Sequence, residues 1–99
     1  MTRQVSLSVN DALIELDYFV SGFIDHVISG MLRGLRGTGE IEHLELSLDE
    51  GRQVTINLNN ALVPINPFVN KIMGNTVIGM VASLKGVSDI KKLQLTIKK

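Results

Sequence analysis

The sequence predicts an α+β fold made by tandem duplication, with two helices packed on one face of an antiparallel or mixed sheet. Three observations support this prediction. VSLSVNDALIEL at residues 5–16 returns as VTINLNNALVPI at 54–65, each copy combines alternating apolar residues with one long helical pattern, and 99 residues with 44% hydrophobic side chains suffice for one core. We expect a single domain over residues 1–99, made of two repeats (3–49 and 52–98) related by a pseudo-twofold axis.

The two repeats align without a gap when the chain is shifted by 49 positions. Of the 47 aligned positions 15 are identical, among them the pairs Asn10/Asn59 and Leu46/Leu95. Most other pairs are conservative, so chance is a poor explanation of the match. Each half alone would be marginal in size, and we therefore expect the two halves to share one core.

The first strands of each repeat change the phase of their apolar alternation at Asn10-Asp11 and at Asn59-Asn60. A regular strand cannot do this without turning part of its apolar face to solvent. Either a two-residue hairpin turn or a bulge in one long strand restores the pattern. The hairpin is favoured, because it puts all opposed apolar pairs on one face and because asparagine tolerates the left-handed backbone of tight turns.

Each repeat continues with one helix of roughly five turns. Asp17 and Asn66 supply N-cap side chains, and Pro67 stands at the first helical position of the second copy. Apolar residues then recur at helical spacing up to positions 36–37 and 85–86, where a cation followed by glycine predicts the end of each helix.

A half-buried strand follows each helix, with apolar residues alternating at 44, 46 and 48 and again at 93, 95 and 97. The segment DEG at 49–51 predicts a three-residue hairpin loop with Gly51 in the left-handed region, which would place Leu46 opposite Val54 and Leu44 opposite Ile56. The element order is then ββαβ-ββαβ, or a ferredoxin-like βαββαβ if the asparagine pairs mark bulges in long strands. Strand order is left open.

Composition excludes several classes of function. Lys+Arg and Asp+Glu number 10 each, and the clustered lysines at 91, 92, 98 and 99 have no aromatic residue among them, so no nucleic-acid partner is expected. Without cysteine there is no disulfide, thiolate metal site or cysteine nucleophile. The N-terminal residues enter a strand pattern at once, and both helices are interrupted by polar residues, so we expect no secretory signal, no membrane partner and a soluble, cytoplasmic protein.

Two groups of residues resemble catalytic or metal sites. Asp25, His26 and Ser29 are the residue types of a hydrolase triad, but successive helical residues are rotated by roughly 100°, so Asp25 cannot orient the imidazole toward Ser29. His43 and Glu45 lie two apart on one strand face and could supply two metal ligands, which do not make a site. Neither group recurs in the other repeat. We therefore expect no catalytic residues, no metal and no cofactor.

Three patterns concern packing. The strand at 43–48 lies among acidic residues and the strand at 93–98 among basic ones; either the two are neighbours, in one chain or across a dimer, or both are solvent-facing strands whose charges have drifted. Gly30 and Gly34, matched by Gly79 and Ser83, favour close packing of the two helices over a glycine-lined ligand pocket. All four aromatic residues stand at helix starts and are expected to pack in the core or at the caps; they are Tyr18, Phe19, Phe23 and Phe68.

The second helix is apolar nearly all round, which is typical of a helix buried on a second side. We therefore predict a small non-enzymatic, homo-oligomeric binding or assembly module. Its interface is expected on the outer face of that helix, at Gly74, Ile78, Val81 and Ala82. The alternative is a small-molecule-binding protein or an enzyme whose pocket forms between subunits.

Overall fold

A computed structural model describes residues 4–36, 41–84, 86, 87 and 89–99. Two helices pack against one antiparallel sheet of six strands, which confirms the α+β class. The strands are β1 (Gln4–Val9), β2 (Ala12–Ile14), β3 (His43–Leu48), β4 (Val54–Leu58), β5 (Ala61–Leu62) and β6 (Leu93–Lys98). The helices are α1 (Tyr18–Arg36) and α2 (Pro67–Ala82).

The sheet has the order β2-β1-β6-β3-β4-β5, so β6 and β3 are the two central strands. Leu46 of β3 lies opposite Leu95 of β6, and these two residues are 49 positions apart in the chain. On the two sides of this pair, Leu7 lies opposite Leu95, and Ile56 lies opposite Leu46. Exchanging the two halves by a shift of 49 positions, up for Leu7 and down for Leu95, turns the first of these pairs into the second.

Tight hairpin turns connect β1 to β2 and β4 to β5. Asn10, Asp11, Asn59 and Asn60 all have left-handed φ angles, between 50° and 69°. This conformation at both central positions is that of the type I′ turn, which matches the twist of the flanking strands. The phase change in the sequence therefore marks a chain reversal and not a bulge.

The loop between β3 and β4 differs from the prediction. Arg52, not Gly51, has the left-handed φ (64°), and Leu46 lies opposite Ile56 instead of Val54. Asp49 sets this geometry, because its backbone carbonyl accepts from Arg52 N–H at 2.9 Å and its Oδ1 accepts from Gln53 N–H at 2.9 Å. The resulting slip of two residues keeps every apolar side chain on the same face, so apolar alternation alone could not detect it.

Both helices begin at the predicted caps, where Asp17 Oδ1 accepts from Val20 N–H and Asn66 Oδ1 from Val69 N–H, each at 2.8 Å. The second helix ends at Ala82, earlier than predicted, where the N–H groups of Ser83 and Leu84 bond to the carbonyls of Met80 and Val81, three residues back, and the α-helical pattern stops. Positions 37 and 85, where the helix ends were expected, lie outside the described residues.

The core lies between the helices and one face of the sheet. Ile24, Ile28 and Leu32 of α1 and Met73, Val77 and Val81 of α2 are buried against the inward-facing residues of the strands. The opposite face of the sheet is polar and carries Ser6, Ser8, His43, Glu45, Ser47, Thr55, Asn57, Gln94, Thr96 and Lys98.

Candidate functional site

The aromatic residues are not in the core. The exposed fractions are 83% for Tyr18, 74% for Phe19, 52% for Phe23 and 68% for Phe68, and these are all the aromatic residues of the chain. The rings of Phe19 and Phe23 stack with centroids 6.1 Å apart. The expectation that they pack in the core or at the caps is therefore wrong, and the surface of the helical layer becomes the candidate site.

A groove separates the two helices. An apolar cavity of about 360 Å³ lies between the first turns of α1 and the last turns of α2, which shows that the helices run antiparallel. Its lining includes Phe19, Phe23, Gly79 and Met80. Outside the local helix backbone and the adjacent residues, no heavy atom of the described residues lies within 4 Å of the position that a Cβ would take at Gly30, Gly34 or Gly79. The small residues therefore leave open space along the helices, and the predicted close helix contact through them is not formed.

We call the exposed outer surface of the two helices the helical face, defined by Phe19, Phe23 and Gly30 of α1 and by Phe68, Ile72 and Gly79 of α2. Each set occupies equivalent positions of its repeat, and all six residues are exposed or line the groove. Their spacing of four and then seven residues places each set along one stripe of its helix. A signal for this stripe exists in the sequence, since His26 and Arg33 lie on it in α1 and mark it as outward-facing.

The structure places the four predicted interface residues on different sides of α2. Gly74 and Val81 are buried, and a Cβ on Gly74 would touch Val54 and Leu48 of the sheet. Ile78 is half-buried beside the core, and only Ala82 is exposed. Gly74 and Val81 therefore contact their own sheet, and the predicted outer face of α2 is rotated away from the observed one.

The triad-like residues of α1 make separate contacts. Ser29 Oγ donates to Asp25 Oδ1 at 3.1 Å, one helical turn away. His26 Nδ1 lies 2.7 Å from the Gly22 carbonyl oxygen, so the imidazole is held by its own helix. The structure thus brings Asp25 to Ser29 and leaves His26 outside the pair.

His43 and Glu45 line a polar cavity of about 270 Å³ on the outer face of the sheet, together with Asn57 and Asn60. The Nε2 of His43 is buried there and has no hydrogen-bond partner among the described residues. Within the described part of the chain, no three His, Cys, Asp or Glu side chains come together in a way that could hold a metal ion. Two titratable groups beside two amides do not define a catalytic or metal centre.

The equivalent positions in the other half form a similar cavity of about 310 Å³, whose lining includes Ser8, Asp11, Lys92 and Gln94. Here Lys92 Nζ and Asp11 Oδ2 form an exposed ion pair at 3.0 Å. The central strands β3 and β6 are neighbours, but Glu45 lies opposite Thr96 and not opposite a lysine. Charge complementarity across this strand pair is therefore not formed at Glu45.

Comparisons with protein-family models, with curated proteins and with solved structures find no match. Over the residues that the structure describes, neither helix is long and apolar enough to cross a bilayer.

Proposed function

We propose that this protein is a small homo-oligomeric binding or assembly module, and that two copies associate through the helical face. The observation that carries the proposal is the exposure of every aromatic side chain of the chain on the helical layer. Phenylalanine and tyrosine are usually buried, and exposed aromatic residues on one face are typical of protein interfaces.

The exposed area supports a second copy as the partner. A fully exposed aromatic side chain contributes roughly 150–250 Å², so the three phenylalanines of the helical face together expose on the order of 400 Å². A standard interface buries about 800 Å² on each partner. Ile72, which is 45% exposed, and the apolar lining of the groove supply further area on the same face.

The helical face also has a shape that suits self-association. Phe19 and Phe23 project near one end of the groove, Phe68 and Ile72 project from the first turns of the antiparallel helix, and the glycines leave gaps along both helices. A twofold dimer uses the same surface from each subunit, so a face with both projections and gaps can be complementary to itself. The formal net charge of +0 adds no electrostatic repulsion between copies.

Three further parts of the proposal concern origin, chemistry and location. The repeated strand pairings support a tandem duplication that produced one domain with pseudo-twofold symmetry and the order ββαβ-ββαβ. We assign no catalytic role to His26 or His43. The even charge balance supports the absence of a nucleic-acid or anionic-membrane partner, and a soluble, cytoplasmic protein stays a prediction.

The second candidate function is binding of an apolar small molecule. The cavity of about 360 Å³ between the helices supports it, because ligand sites usually measure roughly 300–1,000 Å³ and have mainly apolar walls. In a dimer this cavity would lie at the interface, and a bound molecule would be enclosed by both subunits.

Light scattering and native mass spectrometry of the wild type test both candidates, since the mass reports subunit number and any retained ligand together. We expect a dimer that dissociates in Phe68→Glu, because a charge would be buried in the interface. The matched control is Leu13→Glu, which changes an equally exposed apolar residue (78%) at the sheet edge and should leave the dimer intact.

A wild type that stays monomeric at high concentration would refute self-association. Dissociation of the Leu13→Glu variant together with an intact Phe68→Glu dimer would place the interface on the sheet edge instead. A monomer that retains an apolar molecule would favour the second candidate.

A further inference from the structure

In the second half of the chain, the side chain of Asn70 joins α2 to the start of β4. Its Oδ1 accepts from the backbone N–H of Val54 at 2.7 Å and from Nε2 of Gln53 at 3.2 Å. Its Nδ2 donates to the carbonyl oxygen of Arg52 at 3.0 Å. The pairing of β4 with β5 covers only Asn57 and Leu58, so one carboxamide group takes the place of a neighbouring strand at Val54.

Among the described residues of the first half, no side chain makes an equivalent bridge. Ser21 stands at the position equivalent to Asn70, and its hydroxyl group is too short to span the same gap. A cavity of about 1100 Å³ lies here instead, with Gln4, Val5 and Ser21 in its lining. The pairing of β1 with β2 begins only at Leu7, so Val5 lies beyond the end of the neighbouring strand.

We call this cavity of about 1100 Å³ the corner cavity. The side chains around it restrict the kind of chemical group that can bind there. By equivalence with Val54 and Gln53, the Val5 N–H and the Gln4 Nε2 are the two donors that an acceptor oxygen in this cavity would meet. Asp17, Asp25 and His26 also line the cavity, and the two carboxylates disfavour an anionic acceptor by like-charge repulsion. Three aromatic side chains complete the wall and favour a flat apolar group; they are Tyr18, Phe19 and Phe23.

We propose that the corner cavity binds a neutral ligand in which an amide carbonyl stands next to an aromatic group. The carbonyl oxygen accepts from Val5 N–H and from Gln4 Nε2, as the Asn70 side chain does in the other half. The aromatic group lies against Tyr18, which lines the cavity and is not part of the helical face. Both a peptide with an aromatic residue and a small aromatic carboxamide carry this chemistry.

The test is a titration of ¹⁵N-labelled protein, followed by the NMR shifts of the Val5 amide and the Gln4 side-chain amide. The probes are N-acetyl-phenylalaninamide for the peptide source and benzamide for the small-molecule source. We expect saturable shifts at both groups with at least one probe, and the tighter of the two identifies the source.

Ser21→Asn supplies the missing carboxamide from the protein itself and should weaken binding by about tenfold, the effect of losing one to two hydrogen bonds. Ser21→Ala is the matched control, since it leaves the cavity open and should bind like the wild type. Gln4→Ala removes one hydrogen-bond donor without filling the cavity, so it should also weaken binding. It is the replacement test variant if Ser21→Asn does not fold.

Absence of shifts with both probes would overturn the proposal, as would equal affinity of the wild type, Ser21→Asn and Gln4→Ala. The inference does not rest on self-association. Ser21→Asn should leave the subunit number unchanged, so light scattering separates a failure of this site from a failure of the dimer.

Discussion

The asparagine and aspartate residues of the two hairpin turns adopt the left-handed backbone conformation that the turns require. The first residue of each turn, Asn10 or Asn59, also binds a neighbouring segment through its side chain. Asn59 Oδ1 accepts from the N–H groups of Glu42 and His43 at 2.9 Å, which fastens the β4–β5 turn to the start of β3. Asn10 repeats this contact with Lys91 and Lys92. The second residue of each turn adopts the same backbone conformation without these bonds.

The two turn positions should therefore respond differently to glycine. Asn59→Gly removes two accepted hydrogen bonds and should lower the free energy of unfolding by about 1–2 kcal/mol. Asn60→Gly creates the Asn-Gly pair that type I′ turns prefer, at a residue with φ of 69°, and should leave stability unchanged or slightly higher. Urea unfolding of both variants checks this, and an equal loss in the two would contradict it.

At residue scale the sequence predicted the turns and the helix caps, because these depend on local hydrogen bonds of Asn and Asp. It did not predict the role of Asn70, whose three partners lie 16–18 positions away in the chain. A contact at that distance leaves no spacing pattern in one sequence.

At the scale of elements, the helices have two kinds of glycine. Gly74 lies on the inner side of α2, where an added Cβ would make ordinary contact with Val54 and Leu48 at 3.5 and 3.6 Å. Gly79 lies on the helical face, where no described residue beyond its own turn of helix comes within 4 Å of its Cβ position. Small residues in a helix therefore indicate neither close packing nor a cavity until their side of the helix is known.

Gly79→Ala should raise the stability of the folded subunit by about 1 kcal/mol, the propensity difference between the two residues in a helix interior. The added methyl group should at the same time fill a gap of the helical face and weaken the proposed dimer. Gly74→Ala is the control, because it should improve helix propensity without changing association. Thermal unfolding and light scattering measure the two effects, and unchanged association of Gly79→Ala would argue against an interface there.

The elements themselves were predictable from periodicity, whereas the exposed sides of the helices were not assigned correctly. Apolar residues cover so much of α2 that the pattern alone does not distinguish a core-facing side from a partner-facing side. For the strands, alternation specifies which face is buried but not which strand is the neighbour, so the β3–β4 register was wrong by two residues.

At the scale of the whole molecule, Leu46 and Leu95 form the central pair of the sheet, and both are fully buried. Replacing either by alanine should cost about 2–5 kcal/mol, and the two costs should agree closely if their environments are equivalent under the proposed symmetry. Because the residues are in contact, the double variant should deviate from the sum by roughly 0.5–3 kcal/mol. Chemical denaturation of the three variants tests this, and strongly unequal single costs would count against equivalent halves.

The central position of β6 has a consequence for synthesis of the protein on the ribosome. The β1–β2 hairpin can form as soon as residue 14 is available, but the other edge of β1 pairs with residues 93–98. The 84 positions between Val9 and Leu93 require roughly 4–17 s at typical elongation rates of 5–20 residues per second. During that interval the nascent chain has an unpaired strand edge and an uncovered apolar face, so this is the period in which we expect it to depend most on chaperones.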